Sequence, residues 1–169
     1  SVLRGGFTEW TKRQLPTAAG NEKAKTLGDW SAKPVPELFV STEQLVELLA
    51  ETDSPSAIQF LDARPPGMFS GSESPGFPAG VKGSRLATAV NLPVGQFFDN
   101  GMLKPMDELR QLLANVLDTE GNRYVTMCTH GIQASVLMFV LCYVDANIDA
   151  IVHSNGLIEL AAIKPELLV

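Results

Sequence analysis

The chain has 169 residues, 45% hydrophobic and 19% charged, with a formal net charge of -6 and a pI near 4.9. That composition is globular, and the length fits one domain with a fragment of another and a core large enough to need no disulfides. The acidic balance argues against a nucleic-acid surface, no apolar run reaches the ~18–20 residues of a membrane helix, and the two histidines, His130 and His153, lack the spacing of metal ligands.

The opening stretch, SVLRGGFTEW, reads as the end of something rather than a beginning. Val2-Leu3 is strand-like, Gly5-Gly6 a turn, and Phe7–Trp10 one helical turn. The chain starts at Ser1 without a Met, so a processed, truncated or incompletely captured chain is expected. Residues 11–34 are polar and irregular, with Pro16 and Pro34, which is linker composition. The complete domain is expected over 35–169, with 1–10 a remnant of a preceding domain.

Alternating elements follow. ELFVS is strand-like. Ser41 and Gln44 form a capping box ahead of Leu45, Leu48 and Leu49, which predicts a helix from 42. AIQFLDA (57–63) is a buried strand, and the Gly-, Pro- and Ser-rich stretch after it is a long loop. AVNLP is a short strand stopped by Pro93. Pro105 opens an amphipathic helix, with Leu109, Leu112, Leu113, Val116 and Leu117 on one stripe. YVTM is a strand, 132–144 a buried helix, AIVHS a strand, and GLIELAAI a last helix ending before Pro165. Strands alternating with helices predict an α/β fold, a mainly parallel central sheet with helices on both faces.

In such a sheet, ligands bind beyond the carboxyl ends of the strands. Cys128 sits there, between the YVTM strand and the 132–144 helix. The N–H groups of the following turn have no intrahelical partners and favour a thiolate or persulfide anion at that sulfur. Gly131 lets the backbone curl round it. A buried cysteine is also a common core residue, and both readings stand at this point. His130 is either a donor to a bound anion or an exposed loop residue. Cys142, among Phe139, Leu141 and Tyr143, reads as core and points away from the loop. Two cysteines on one strand–turn–helix segment are not placed for a disulfide, which fits a reducing compartment.

These motifs resemble the rhodaneses, specifically the C-terminal half of a tandem-domain thiosulfate or 3-mercaptopyruvate sulfurtransferase. FLDARPPGMFSG is similar to the strand and loop that open the family's active-site face. AVNLPVGQFFD is similar to its AVN-hydrophobic-Pro strand, CTHGIQA to its six-residue catalytic loop, and SVLRGGFTEW to the end of its N-terminal domain. The resemblance implies the rhodanese fold and sulfur transfer through a persulfide on Cys128. The N–H groups of Thr129, His130, Gly131, Ile132 and Gln133 would cradle the anion, and no metal or organic cofactor is needed. The phosphatases that share the fold use a longer loop with an arginine near its end, where Gln133 and Ala134 stand here.

The departures are as informative. Active tandem members carry, in place of Met68, an arginine that grips the anionic donor, and a thioether cannot do so. Thr129-His130 matches neither of the family's donor-tuned pairs. Ser84-Arg85 replaces Gly-His, and the aromatic ending is reduced to SNGLIEL, with Glu159 retained. Arg64 either binds substrate or pairs with Asp62 to tie down loops. Two expectations follow. One is a sulfurtransferase weak on thiosulfate and mercaptopyruvate, taking sulfur from a small donor or a persulfidated protein. The other is a degenerate rhodanese acting as a structural or protein-binding subunit of a larger assembly, or against an N-terminal rhodanese domain. The resemblance implies an intracellular, reducing compartment, mitochondrial or cytoplasmic.

Overall fold

The computed structural model describes residues 5–20, 28–29, 31–51, 58–117 and 123–169. In chain order the elements are α1 (Gly6–Lys12), β1 (Phe39–Val40), α2 (Thr42–Glu51), β2 (Ile58–Asp62), α3 (Pro66–Ser70) and β3 (Val90–Asn91). There follow β4 (Phe98–Asp99), β5 (Met102–Leu103), α4 (Met106–Leu113), β6 (Arg123–Met127), α5 (Ile132–Val144), β7 (Asp149–His153) and α6 (Leu157–Ile163). The strand end read at Val2-Leu3 and part of the 11–34 linker lie outside the described residues.

The main sheet has five strands in the order β1-β7-β6-β2-β3, and every pairing is parallel. Asp62 stands beside Met127, and Val40 beside His153, so the carboxyl ends of the strands lie along one edge. A parallel sheet is covered on both faces, and the core divides accordingly. Leu61, Ala63, Tyr124, Cys128 and Val152 point to one side and meet Leu109 and Leu113 of α4 and Leu137 and Leu141 of α5. Phe60, Val125, Met127 and Ile151 point to the other and meet Leu45 of α2 and Leu157 and Leu160 of α6. The period-2 alternation of side chains thus places Cys128 on the α5 side.

The capping box is present. The Ser41 N–H donates to Gln44 Oε1 at 2.9 Å, and the Gln44 N–H to Ser41 Oγ at 3.3 Å. Elsewhere the structure corrects the sequence reading. The long loop after β2 contains α3, started by Pro66 and closed by Gly71 in the left-handed region at φ 79°. The apolar stripe expected through Leu117 outruns its helix: α4 ends at Leu113, and the N–H groups of Val116 and Leu117 fold back on the Leu113 carbonyl. Val116 is buried by that turn all the same. An antiparallel pair, β4 and β5, turns at Asn100-Gly101, both with positive φ. The helix expected to be buried, α5, keeps Ile132, Phe139 and Tyr143 exposed, the last two stacked on each other.

Candidate functional site

Cys128 follows the last residue of β6, and α5 begins four residues later. The turn between them is shaped by Gly131, at φ 82°. A Cβ there would come within 2.7 Å of the Ser154 carbonyl oxygen, so only glycine permits both the torsion and the approach. The other side of the turn is equally close. A Cβ on Gly156 would lie 2.2 Å from the Thr129 carbonyl oxygen and 2.6 Å from His130 Cα.

The Cys128 and Thr129 carbonyls of the turn are taken, and the amides that follow them are not. The Leu157 N–H donates to the Cys128 carbonyl at 2.8 Å, and the Ile158 N–H to the Thr129 carbonyl at 3.2 Å. Among the described residues, the N–H groups of Thr129, His130 and Gly131 meet no backbone or side-chain acceptor. They run directly into the N-terminus of α5, whose first amides have no intrahelical acceptor. Consecutive free amides at a helix start make a fixed positive potential, suited to an anion.

Cys128 is 2% exposed and belongs to the core cluster that includes Ala134 and Leu137. Thr129 is buried, and its Oγ1 has no hydrogen-bond partner. His130 is exposed, Gln133 half-buried, and Ile132 74% exposed at the rim. Cys142 is half-buried on α5, and burial pushes its thiol up from the usual range. Both cysteines are free.

Arg64 is fully buried. Its Nε donates to both Asp62 carboxylate oxygens, at 2.9 and 3.1 Å, and its Nη2 to the Ser84 carbonyl at 2.8 Å. The Phe77 ring covers the guanidinium at 5.4 Å, and Nη1 has no partner. The pair fastens the 64–84 loop to the end of β2. Met68 is half-buried on α3 and offers no charge. Arg85 stacks on Phe69 at 5.0 Å, and Ser84 Oγ donates to the Phe69 carbonyl at 2.7 Å.

One polar cluster escapes any sequence pattern. Thr42, at the start of α2, bonds through Oγ1 to His153 Nε2 at 2.9 Å and also to Glu159 Oε2 on α6. Thr42 and His153 are fully buried, and His153 Nδ1 has no partner. Burial first, against the opposing carboxylates of Glu159 and Glu43, lowers the His153 pKa to about 4. Its members stand 111 and 117 residues apart in sequence. The only hint in the sequence was a histidine ending an apolar strand.

A cleft of about 710 Å³ lies away from the thiol, lined by Phe98, Leu103, Val136, Phe139 and Tyr143 and by Gly5 and Gly6 ahead of and within α1. Among the described residues, no group of three or more His, Cys, Asp and Glu could hold a metal ion, and no helix is long and apolar enough to cross a membrane.

A parallel five-stranded sheet with a cysteine turn at the carboxyl edge of its central strand, entering a helix through a left-handed glycine, is the rhodanese fold, and solved structures of that fold superpose on the chain. No family model matches the sequence. Its curated homologues are sulfurtransferases: mpst-1 of Caenorhabditis elegans, provisionally named a thiosulfate sulfurtransferase, is 30% identical over 149 residues, covering 83% of this chain and 45% of that protein. SseA of Escherichia coli, a 3-mercaptopyruvate sulfotransferase described by its rhodanese fold, superposes with a TM-score of 0.70 at 24% identity, covering 90% of this chain and 54% of that one. The sub-stoichiometric sulfur transferase subunit of yeast mitochondrial complex I superposes with a TM-score of 0.61 at 22% identity, covering 76% of this chain and 44% of that one. The chain spans about half the length of the curated relatives it matches.

Proposed function

We propose that this chain is a sulfurtransferase domain in which Cys128 carries sulfane sulfur as a persulfide. The observation that supports this most directly is the turn of three unpartnered amides, Thr129 to Gly131, between Cys128 and α5. In the first half-reaction the Cys128 thiolate attacks the sulfane sulfur of a donor. A new S–S bond forms, the donor's bond to that sulfur breaks, and the leaving group departs with the electron pair as sulfite, pyruvate enolate or a thiolate. In the second, an acceptor nucleophile attacks the outer sulfur and returns the Cys128 thiolate. Both the thiolate and the persulfide are anions, and the turn amides and the start of α5 stabilise each without reorganising.

The donor is taken to be a persulfidated protein or thiol in preference to a small dianion. Arg64 is closed into its pair with Asp62, Met68 is uncharged, and the rim carries Ile132. A protein donor brings its own contacts. A reducing compartment, mitochondrial or cytoplasmic, suits a working thiol.

A second reading has a specific observation behind it. The apolar cleft along α5, with exposed Phe139 and Tyr143, supports a domain seated in a larger assembly or against a preceding rhodanese domain with its boundary near residue 35. The likeness to a complex I subunit is in keeping with it. Mass spectrometry of the protein after incubation with thiosulfate, 3-mercaptopyruvate or a glutathione persulfide separates the two. A mass gain of one sulfur on Cys128, absent from Cys128→Ser, is the expected result, strongest with the persulfide. No gain with any donor would leave the assembly reading.

A further inference from the structure

The turn that holds Cys128 is itself held from one side. Two of its carbonyls, of Cys128 and Thr129, accept from Leu157 and Ile158 of α6. Gly131 and Gly156 interlock with the backbones of Ser154 and Thr129 at distances no side chain would tolerate. The direction of the turn amides is therefore set by the placement of residues 154–158. Any shift of that segment rotates peptides that share the carbonyls it binds.

That segment has two anchors. One is β1: the Ser154 N–H and Oγ both donate to the Val40 carbonyl, at 3.1 and 3.3 Å. The other is the cluster of buried Thr42 and His153 with half-buried Glu159, which joins three elements: α2, the end of β7 just before the segment, and the first turn of α6 just after it. The proton order follows from the acceptor. A Glu159 carboxylate can only accept, so the Thr42 hydroxyl donates to it. The Thr42 oxygen then accepts from His153 Nε2–H, which assigns the neutral tautomer and leaves the Nδ1 lone pair inward. One hydroxyl thus pins both flanks of the segment at once.

We infer that Thr42, His153 and Glu159 are positioning residues for Cys128: they fix the 154–158 segment, and through it the turn whose Cys128 and Thr129 carbonyls that segment binds and whose unpartnered amides stabilise the sulfur anion. The inference rests on the sulfur-carrier reading of Cys128. None of the three touches the sulfur or a donor, and their effect passes through the Leu157 and Ile158 amides. Among the described residues, the charged groups that act on His153 are Glu159 on α6 and Glu43 on α2.

The test is the rate of Cys128 alkylation by iodoacetamide as a function of pH, read by peptide mapping with Cys142 as the internal reference. It needs no donor. Thr42→Val keeps the shape and removes the hydroxyl; Thr42→Ser keeps the hydroxyl. Leu48→Ala, on the same helix and partly buried in the core, is the control for lost stability alone. Thr42→Val is expected to slow Cys128 labelling at neutral pH roughly 10-fold and to move its pH profile upward, less than the 10²-fold that a misplacement of about 1 Å can cost. Thr42→Ser restores the parent profile, and Leu48→Ala leaves it in place while lowering Tm. An unchanged profile in Thr42→Val, or a shift that Leu48→Ala reproduces, overturns the inference while Cys128 in the parent still labels faster than Cys142. A parent in which Cys128 labels no faster than Cys142 overturns the sulfur-carrier reading instead, and the positioning role with it.

Discussion

Replacing Gly156 by alanine tests the interlock between the cysteine turn and α6 at its tightest point. The residue has φ 77° and ψ 164°, a region that is essentially glycine-only. Holding alanine there costs about 1–3 kcal/mol. The added methyl would also stand 2.2 Å from the Thr129 carbonyl oxygen and 2.6 Å from His130 Cα, both backbone atoms with no rotamer to change. Relief requires the two segments to separate by about 1 Å, which is enough to break the hydrogen bonds from Leu157 and Ile158. At about 0.5–1.5 kcal/mol each, these bring the total to about 2–6 kcal/mol. For a domain of this size Tm should fall by roughly 5–20 °C. Sulfur loading of Cys128, measured by mass spectrometry well below the new Tm, should fall more than 10-fold, because the turn amides have moved. Gly95→Ala is the control: nothing lies within 4 Å of its Cβ, and its φ is ordinary. A Gly156→Ala protein that melts within about 2 °C of the parent and loads sulfur normally would refute the interlock.

Three further outcomes are expected. Met68→Arg should leave Tm nearly unchanged, because the half-buried site lets a long side chain reach water, and should raise turnover on thiosulfate about 10-fold or more if one charge-assisted contact of about 1.5–3 kcal/mol is gained; a steady-state assay decides it. Arg64→Ala should cost about 3–5 kcal/mol in a urea titration, since it strands the Asp62 carboxylate in a fully buried site. His153, with a folded pKa of about 4 against 6.5 unfolded, contributes stability that is complete above pH 6.5. The unfolded chain binds the proton first as pH falls, so about 3 kcal/mol is lost on the way down to pH 4, and His153→Gln should flatten that part of the stability profile.

The elements marked by their own chemistry were legible in the sequence. Ser41 and Gln44 announce α2, and the apolar run from Ile132 ends at Val144 in sequence and structure alike. Cys128 stands out because the change from strand to helix occurs around it. What failed was decided at a distance or within one turn. α3 has too few residues to show a period, and α4 stops at Leu113 although its stripe continues, because Val116 and Leu117 are buried by a turn rather than a helix. Asn100-Gly101 was a hairpin signal lost between two strands of only two residues each. The Arg64 alternatives could not be separated by spacing, since an arginine two residues from an aspartate can turn inward or outward. Thr42, His153 and Glu159 meet only because β7 inserts beside β1, a long-range fact that no local window contains.

That insertion orders events as the chain is made. β1 has no neighbour until β7 arrives, more than 100 residues later, because Phe39 pairs with Val152 and Val40 with His153. Parallel pairing over such a span is slow to form. The chain emerges from the ribosome at about 5–20 residues per second, so Cys128 leads Leu157 and Ile158 by roughly 1.5–6 seconds. During that interval β6 offers an open edge to other nascent chains, and the cysteine turn lacks the hydrogen bonds from Leu157 and Ile158 that hold it. The cysteine turn is therefore among the last parts of the molecule to be completed, and a chaperone that shields residues 123–144 until β7 docks would protect both the fold and the thiol.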